Sequence, residues 1–340
     1  MISTGSMFSH IECTSCKKTF SKDEILKLCP VDDCGKVLFP KYDLDFDKSR
    51  KSIDDLKNRE PNMWRYKEFL PVNFEENIIT LGEGFTPILD AKNLALDLGI
   101  NKLLIKDESL NPTSSFKARG LSAAVSKAKE FGIKKFSIPT AGNAGGALSA
   151  YAAKGNLESY VFMPKDAPQA NKTEVKYFGS NLELIDGYIN DAGKRSLEQS
   201  SNLNLFDVST LKEPYRVEGK KTMGYEIAEQ LNWNLPDHII YPTGGGTGII
   251  GIWKAFQELS EIGMIESGLP KMICVQADGC SPVVDAYLKG KKYAELFKKP
   301  ATIAAGMRVP IAVGDYLIID SVNQSNGTAL KIKDKDMVEG

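Results

Sequence analysis

The sequence has little charge bias, only two histidines and no long apolar segment. Its 340 residues include 43 Lys and Arg against 44 Asp and Glu, so the formal net charge is −1. This balance gives no electrostatic reason to expect a nucleic-acid or membrane partner. No apolar run approaches the roughly 18 residues that a membrane-spanning helix needs. The start, MISTGSMFSHIECTSC, lacks the basic and apolar regions of a signal peptide. We therefore expect a cytoplasmic protein.

The length and the hydrophobic pattern predict an α/β protein of two domains. From residue 80 onward, short apolar segments alternate with amphipathic ones, and this rhythm predicts doubly wound parallel sheets. The region from 46 to 80 is polar, and its pattern predicts short helices interrupted at Pro61. The predicted strands are residues 102–108, 134–140, 159–165, 181–187, 237–243 and 271–279.

Four of the six cysteines are concentrated near the start of the chain. Cys13, Cys16, Cys29 and Cys34 follow the spacing C-x2-C-x12-C-x4-C, which suits either a metal site or a disulfide framework. A reducing compartment favours the metal, and four thiolates suit a tetrahedral structural zinc. We predict that residues 1–45 form a small zinc-ribbon-like unit.

A glycine-rich loop follows the predicted strand 237–243. The run Gly244, Gly245, Gly246, Thr247 and Gly248 leads directly into a helix, where backbone N–H groups and a hydroxyl can surround an anion. This arrangement predicts a phosphate site. The same segment has Gly246, Gly248 and Gly251 in G-x-G-x-x-G spacing, with Asp278 at the end of the next strand. A dinucleotide site is therefore an alternative, although Asp278 comes late for that motif.

A lysine stands at the start of another predicted helix. In NPTSSFKARG, Ser114 or Ser115 is the expected N-cap, so Lys117 lies in the first turn, where cations are disfavoured. An amine near a phosphate cradle suggests pyridoxal phosphate, whose aldehyde forms a Schiff base with lysine. The helix dipole and exclusion of water would lower the pKa of Lys117. Phe116 could wall the cofactor ring.

A third strand-to-helix turn, PTAGNAGGAL, contains Thr140 and Asn143. Asn143 could cap its own helix or offer an amide to a ligand. Ligands of open parallel sheets bind at the carboxyl ends of the strands, so three such turns predict one shared crevice.

The sequence resembles the threonine synthases, a family of fold type II pyridoxal-phosphate enzymes related to the β-subunit of tryptophan synthase. The matching segments cover about residues 80–330: GEGFTP (82–87), NPTSSFKARG (111–120), AGNAGGALSAYAA (141–153), EPYRVEGKKT (213–222), the GGGTG loop and GMRVP (306–310). The resemblance implies that O-phospho-L-homoserine and water are converted to L-threonine and phosphate by γ-elimination and β-addition of water. Related synthases also carry a ribbon like that predicted for residues 1–45.

The resemblance also implies roles for individual residues. Lys117 would carry the cofactor and move protons at Cα and Cβ, and Asn143 would hydrogen-bond the cofactor's 3′ oxygen. Gly244 to Gly248 would hold its phosphate. Thr140, Arg216 and Lys221 would bind the substrate, with Arg216 on its phosphate.

Three departures from the family pattern affect the substrate assignment. Ala118 follows the lysine where the family has SFKDRG, and Ala141 replaces a hydroxyl residue of the family's STGN turn. The family's partner for the pyridine nitrogen lies in a segment beyond residue 340, so we expect either a truncated C-terminal end or a pocket wall that is supplied by other residues. The last fifteen residues are predicted to begin a helix. The turn is also similar to that of threonine and serine dehydratases.

The expected architecture has three parts. Residues 46–119 with 226–340 would form the larger cofactor-binding domain, and residues 120–225 a smaller mobile domain that closes over a small-molecule substrate. A homodimer is left open. The alternatives are a threonine or serine dehydratase, a nicotinamide-dependent oxidoreductase, and an inactive homologue that binds ligands only.

Overall fold

The structure, a computed structural model, describes residues 1–265 and 267–340. The strands are β1 (Phe8–Cys13), β2 (Thr19–Ser21), β3 (Leu38–Tyr42), β4 (Ile88–Asp90), β5 (Leu104–Lys106), β6 (Lys135–Pro139), β7 (Glu158–Pro164), β8 (Asn181–Ile185), β9 (Phe206–Asp207), β10 (His238–Pro242), β11 (Lys271–Ala277) and β12 (Thr328–Ile332). The helices are α1 (Phe46–Asp54), α2 (Lys92–Asp97), α3 (Lys117–Glu130), α4 (Ala144–Lys154), α5 (Gln169–Tyr177), α6 (Ile189–Leu203), α7 (Arg216–Gln230), α8 (Thr247–Glu261), α9 (Pro282–Leu288), α10 (Asp315–Gln324) and α11 (Asp334–Glu339).

The first parallel sheet has the strand order β8-β7-β6-β9. The chain first builds outward from β6 to β8 and then returns to place β9 on the other side of β6. This reversal creates a switch point at β6, where open sheets leave a crevice beyond the carboxyl ends of the strands. The Thr140–Asn143 turn therefore lies where the topology favours a ligand.

The second parallel sheet has the order β10-β11-β12. Its third strand corrects the sequence prediction, because residues Thr328–Ile332 pair with β11 and the helix begins only at Asp334. The segment predicted as a strand at 102–108 also differs. It forms β5, which pairs antiparallel with β4 outside both parallel sheets.

Helix α7 joins the two halves of the molecule. It packs against α8 on one side and α3 on the other. The approach is close, since a Cβ atom on Gly219 would overlap the Arg119 carbonyl and one on Gly224 would lie 2.6 Å from Ala255 Cβ. The domain boundaries predicted near 120 and 225 fall within α3 and α7.

The N-terminal sheet has the order β2-β1-β3, with both pairings antiparallel. Its apolar residues Phe8, Ile11 and Leu38 share a core cluster with α3 and α4. A second core cluster forms around α7, α8 and α10. Among the described residues, none of the helices has the length and hydrophobicity needed to cross a bilayer.

Candidate active site

Lys117 is the first residue of α3, as predicted. The predicted N-cap is wrong, because Phe116 occupies that position and no side chain among the described residues caps the helix; the Ser115 hydroxyl accepts from the Lys117 backbone N–H at 3.2 Å. In the part of the chain that the structure describes, the Lys117 amine makes no ion pair. Burial of the amine, followed by the positive charge of Arg216, lowers the pKa of Lys117 to about 7. A large fraction of the amine is therefore neutral and nucleophilic at physiological pH.

The Phe116 ring is the centre of the site. The Lys117 ammonium lies 3.7 Å from its centroid and the Lys220 ammonium lies 4.0 Å from it. The Tyr241 ring meets Phe116 edge-on at 6.4 Å. Tyr241 lies one residue before the end of β10, the strand that leads into the glycine loop, so Phe116 connects the lysine turn to that loop.

The glycine loop has the geometry of an anion cradle. Gly246 adopts a φ of 84°, and a Cβ there would overlap Ile318, while one on Gly248 would overlap the Tyr241 hydroxyl. Within residues 1–265 and 267–340, no oxygen accepts from the N–H groups of Gly244, Gly245 or Gly246. Free N–H groups at the start of the 15-residue helix α8 suit a phosphate.

The GMRVP segment, residues 306–310, packs against the glycine loop. A Cβ on Gly244 would lie 3.0 Å from the Gly306 carbonyl oxygen and 3.3 Å from Met307. Gly244 therefore allows two backbone segments to approach closely.

Arg216 begins α7 and is fully enclosed. One guanidinium nitrogen, Nη1, donates to the Val208 carbonyl at 2.6 Å, whereas Nε and Nη2 have no partner among the described residues. The Glu213 carboxylate accepts from the backbone N–H groups of Tyr215 and Arg216. Burial raises the pKa of Glu213 to about 7, against the opposing effect of Arg216. Arg216 thus has donors available for a ligand.

In the Thr140–Asn143 turn, the Asn143 side chain has no hydrogen-bond partner among the described residues. The Thr140 hydroxyl accepts from the Gly142 N–H at 3.1 Å. The exposed Asn143 side chain makes no capping bond to α4, although the sequence allowed that alternative. Helix α4 packs against α3 and against the turn at Pro112–Ser114. The Asn143 turn therefore lies beside the lysine turn.

Lys221 does not face this site. Its ammonium lies 2.7 Å from Glu218 and 2.9 Å from Glu258, and donates to the Phe69 carbonyl. These carboxylates neutralise the charge of Lys221 inside the protein, so the prediction that Lys221 binds substrate is wrong. Arg119 is likewise part of a structural network with Glu108 and Glu226.

The structure also gives structural roles to the residues on which the dinucleotide alternative depends. Gly251 lets α8 approach α7, because a Cβ there would lie 3.0 Å from Lys220 Cβ. Asp278 is half-exposed and lies 3.7 Å from the Lys331 ammonium. Neither position points to a nucleotide.

The four clustered cysteines come together as free thiols. Sγ atoms of Cys13 and Cys34 are 3.6 Å apart, those of Cys16 and Cys29 are 3.7 Å apart, and all four lie within 4.8 Å of one another. Four sulfurs around a tetrahedral zinc at 2.3 Å would be about 3.8 Å apart. The donor set and its spacing therefore fit zinc.

Sequence reasoning missed Lys220, Glu213 and Tyr241. The sequence offers no signal for Lys220 beyond its place in EPYRVEGKKT. Its neighbour Lys221 was selected instead. The only sequence signal that could have found Tyr241 is its place one residue from the end of the strand before the loop.

The comparisons with known proteins agree with this geometry. Residues 79–340 match the pyridoxal-phosphate dependent enzyme family. A threonine synthase of Methanocaldococcus jannaschii is 36% identical over 328 residues, which are 96% of this chain and 80% of the relative. A threonine synthase of Methanosarcina acetivorans is 33% identical, with coverage of 97% and 80%.

Solved structures show the same fold at low identity. Maize serine racemase superposes with a TM-score of 0.63 at 20% identity, over 75% of this chain and 74% of the other. A threonine deaminase of Solanum lycopersicum gives 0.62 at 20% identity, over 92% and 78%. The chain belongs to the pyridoxal-phosphate dependent enzymes and, within them, to the threonine synthase family.

Proposed function

We propose that this protein converts O-phospho-L-homoserine and water to L-threonine and phosphate. One observation carries the proposal: the Lys117 amine, with its lowered pKa, lies near an enclosed arginine that has unpartnered N–H groups. A nucleophilic amine and an anion-binding guanidinium are what a phosphorylated amino acid needs. The threonine synthase relatives support the same assignment.

The residues present fit pyridoxal phosphate. Lys117 would hold it covalently, the N–H groups of Gly244 to Gly248 and the Thr247 hydroxyl would hold its phosphate, and Asn143 would hydrogen-bond its 3′ oxygen. Phe116 would wall its ring. When bound, the cofactor supplies an electron sink for negative charge at the substrate carbons.

The side chains of the site transfer protons and orient the substrate. The Lys117 amine accepts and returns protons at Cα and Cβ of the substrate, because a pKa near 7 allows transfer in both directions. Arg216 orients the phosphate group that leaves, and Thr140 lines the same crevice. Closure of residues 120–225 over the substrate would exclude water that is not part of the reaction.

The test is a product assay with a cofactor spectrum. The protein loaded with pyridoxal phosphate should show an absorbance band that Lys117→Ala abolishes. When it is given O-phospho-L-homoserine, it should release phosphate and threonine in equal amounts. The band with a 2-oxo acid and ammonia as products would instead support a dehydratase. A normal band with no products from O-phospho-L-homoserine would reject the proposed substrate.

We propose that the four cysteines bind one structural zinc, because their spacing matches a tetrahedral site. Six free thiols suit a reducing compartment, so we propose the cytoplasm.

A further inference from the structure

Lys220 is a buried amine that the proposed reaction leaves without a role. Its side chain is fully buried on α7, one turn after Arg216. In the described part of the chain its ammonium has no hydrogen-bond partner. Isolated buried charges are costly, so an enclosed lysine normally has a carboxylate beside it.

Glycines on the two neighbouring helices lie against the Lys220 side chain. A Cβ on Gly120 of α3 would lie 3.1 Å from Lys220 Cε, and one on Gly251 of α8 would lie 3.0 Å from Lys220 Cβ. Two flanking helices therefore leave room for the side chain, whose tip reaches the Phe116 ring that Lys117 also faces.

The charges around this point are mainly of one sign. Burial, followed by the charges of Lys117 and Arg216, lowers the pKa of Lys220 well below its usual value. Glu108 opposes this shift more weakly, and it already pairs with Arg119 at 2.7 Å. Lys220 therefore lies among basic groups, and in the described part of the chain both Lys220 and Arg216 have buried nitrogen donors without a partner.

We propose that Lys220, with Arg216, forms the site for the phosphate dianion of the substrate and selects phosphorylated amino acids over those with an uncharged side chain. This inference rests on the proposed function and names the residue that sets its specificity. Binding of a dianion would restore the positive charge of Lys220, because an opposite charge favours the protonated amine. Two cations can then balance the two negative charges of a phosphate monoester.

A phosphate titration of the cofactor-loaded protein tests this directly. Lys220→Met should weaken binding of inorganic phosphate at least tenfold, measured as the phosphate-induced rise in Tm, and should keep the cofactor absorbance. Without phosphate its Tm should equal or exceed that of the wild type, because the change removes an unpaired buried amine. The matched control is Lys127→Met, a fully buried lysine paired with Glu130 at 2.6 Å. It should lose stability and keep phosphate binding.

Several outcomes would overturn the proposal. Unchanged phosphate affinity in Lys220→Met would do so, and loss of cofactor absorbance would show that Lys220 serves the cofactor instead. If the methionine variant does not fold, Lys220→Gln gives the same comparison with a neutral polar group.

Kinetics separate this inference from the proposed function. Lys220→Met should raise KM for O-phospho-L-homoserine at least tenfold, with a smaller change in kcat. If the wild type forms threonine and Lys220→Met has the same KM for O-phospho-L-homoserine as the wild type, the proposed function stands and the role of Lys220 is rejected. Wild type that binds phosphate through Lys220 but forms no threonine would reject the function alone.

Discussion

The Tyr42 hydroxyl donates to Glu218 Oε2 at 2.7 Å, across 176 positions of sequence. Tyr42 ends the last strand of the N-terminal sheet, and Glu218 lies in the first turn of α7, between Arg216 and Lys220. Glu218 also pairs with Lys221 and Lys254, and Lys254 donates to the Pro40 carbonyl. The cysteine unit is therefore attached to the helix that carries the proposed phosphate site.

Removing the Tyr42 hydroxyl should destabilise the protein. Tyr42→Phe leaves a buried carboxylate with one fewer donor, and a hydrogen bond to a charged group contributes about 2 kcal/mol. We expect that loss in the free energy of unfolding, measured with denaturant. The control is Tyr160→Phe, whose hydroxyl donates to the exposed Glu158 at 3.0 Å. That change should cost less than about 0.5 kcal/mol. Equal effects of the two changes would show that the Tyr42 contact is unimportant.

The cysteine cluster should contain one metal ion per chain. Purified protein should hold one zinc by elemental analysis, and Cys29→Ser should release it and lower Tm. Cys274→Ser changes a buried thiol outside the cluster and should keep the zinc. Zinc that is absent from protein prepared without chelators, or retained by Cys29→Ser, would contradict the assignment.

Arg216 should govern substrate affinity more than cofactor affinity. Arg216→Lys keeps a positive charge but loses the planar fork that holds phosphate through two donors. We expect KM for O-phospho-L-homoserine to rise at least tenfold, with cofactor absorbance unchanged. The matched change Arg308→Lys alters a half-exposed arginine 3.9 Å from Asp166 and should have little effect. A normal KM in Arg216→Lys would remove Arg216 from the phosphate site.

The pH dependence of cofactor capture should follow Lys117. Only the neutral amine attacks an aldehyde, so the capture rate of the cofactor-free protein should rise with pH and level off above about 7, well below the ordinary lysine value of 10.5. Arg216→Gln removes a cation that lowers this pKa, so its midpoint should move to higher pH. A midpoint near 10, or no shift in the variant, would contradict the environment assigned to Lys117.

The same pKa has a consequence for stability. Because the folded value is lowered, the unfolded chain binds more protons at Lys117 between pH 7 and 10.5. The cofactor-free protein should therefore gain stability from this residue as pH rises through that window, and Lys117→Ala should reduce the slope. Denaturant unfolding at several pH values measures it. Equal slopes in both proteins would contradict the shift.

The parts of the site that depend on local sequence were predictable. Glycines after a strand and a lysine in a helix's first turn carry their geometry with them, so the loop at Gly244 to Gly248 and the position of Lys117 were found without the structure. The fold class followed from the alternation of strands and helices for the same reason.

The parts that depend on distant packing were not predictable. Lys220 and Lys221 are adjacent, and only the rotation of α7 between α3 and α8 decides that Lys221 meets carboxylates while Lys220 faces Phe116. The strand at Leu104–Lys106 has the apolar pattern of a parallel strand, yet its antiparallel partner is the short segment Ile88–Asp90. Neither pairing has a local signal.

The most direct test of the account is a single incubation of the cofactor-loaded protein with O-phospho-L-homoserine, in which phosphate, threonine and 2-oxo acid are all measured. We predict phosphate and threonine in equal amounts, no 2-oxo acid, and no products from Lys117→Ala. Release of a 2-oxo acid in place of threonine, or equal turnover by Lys117→Ala, would contradict it.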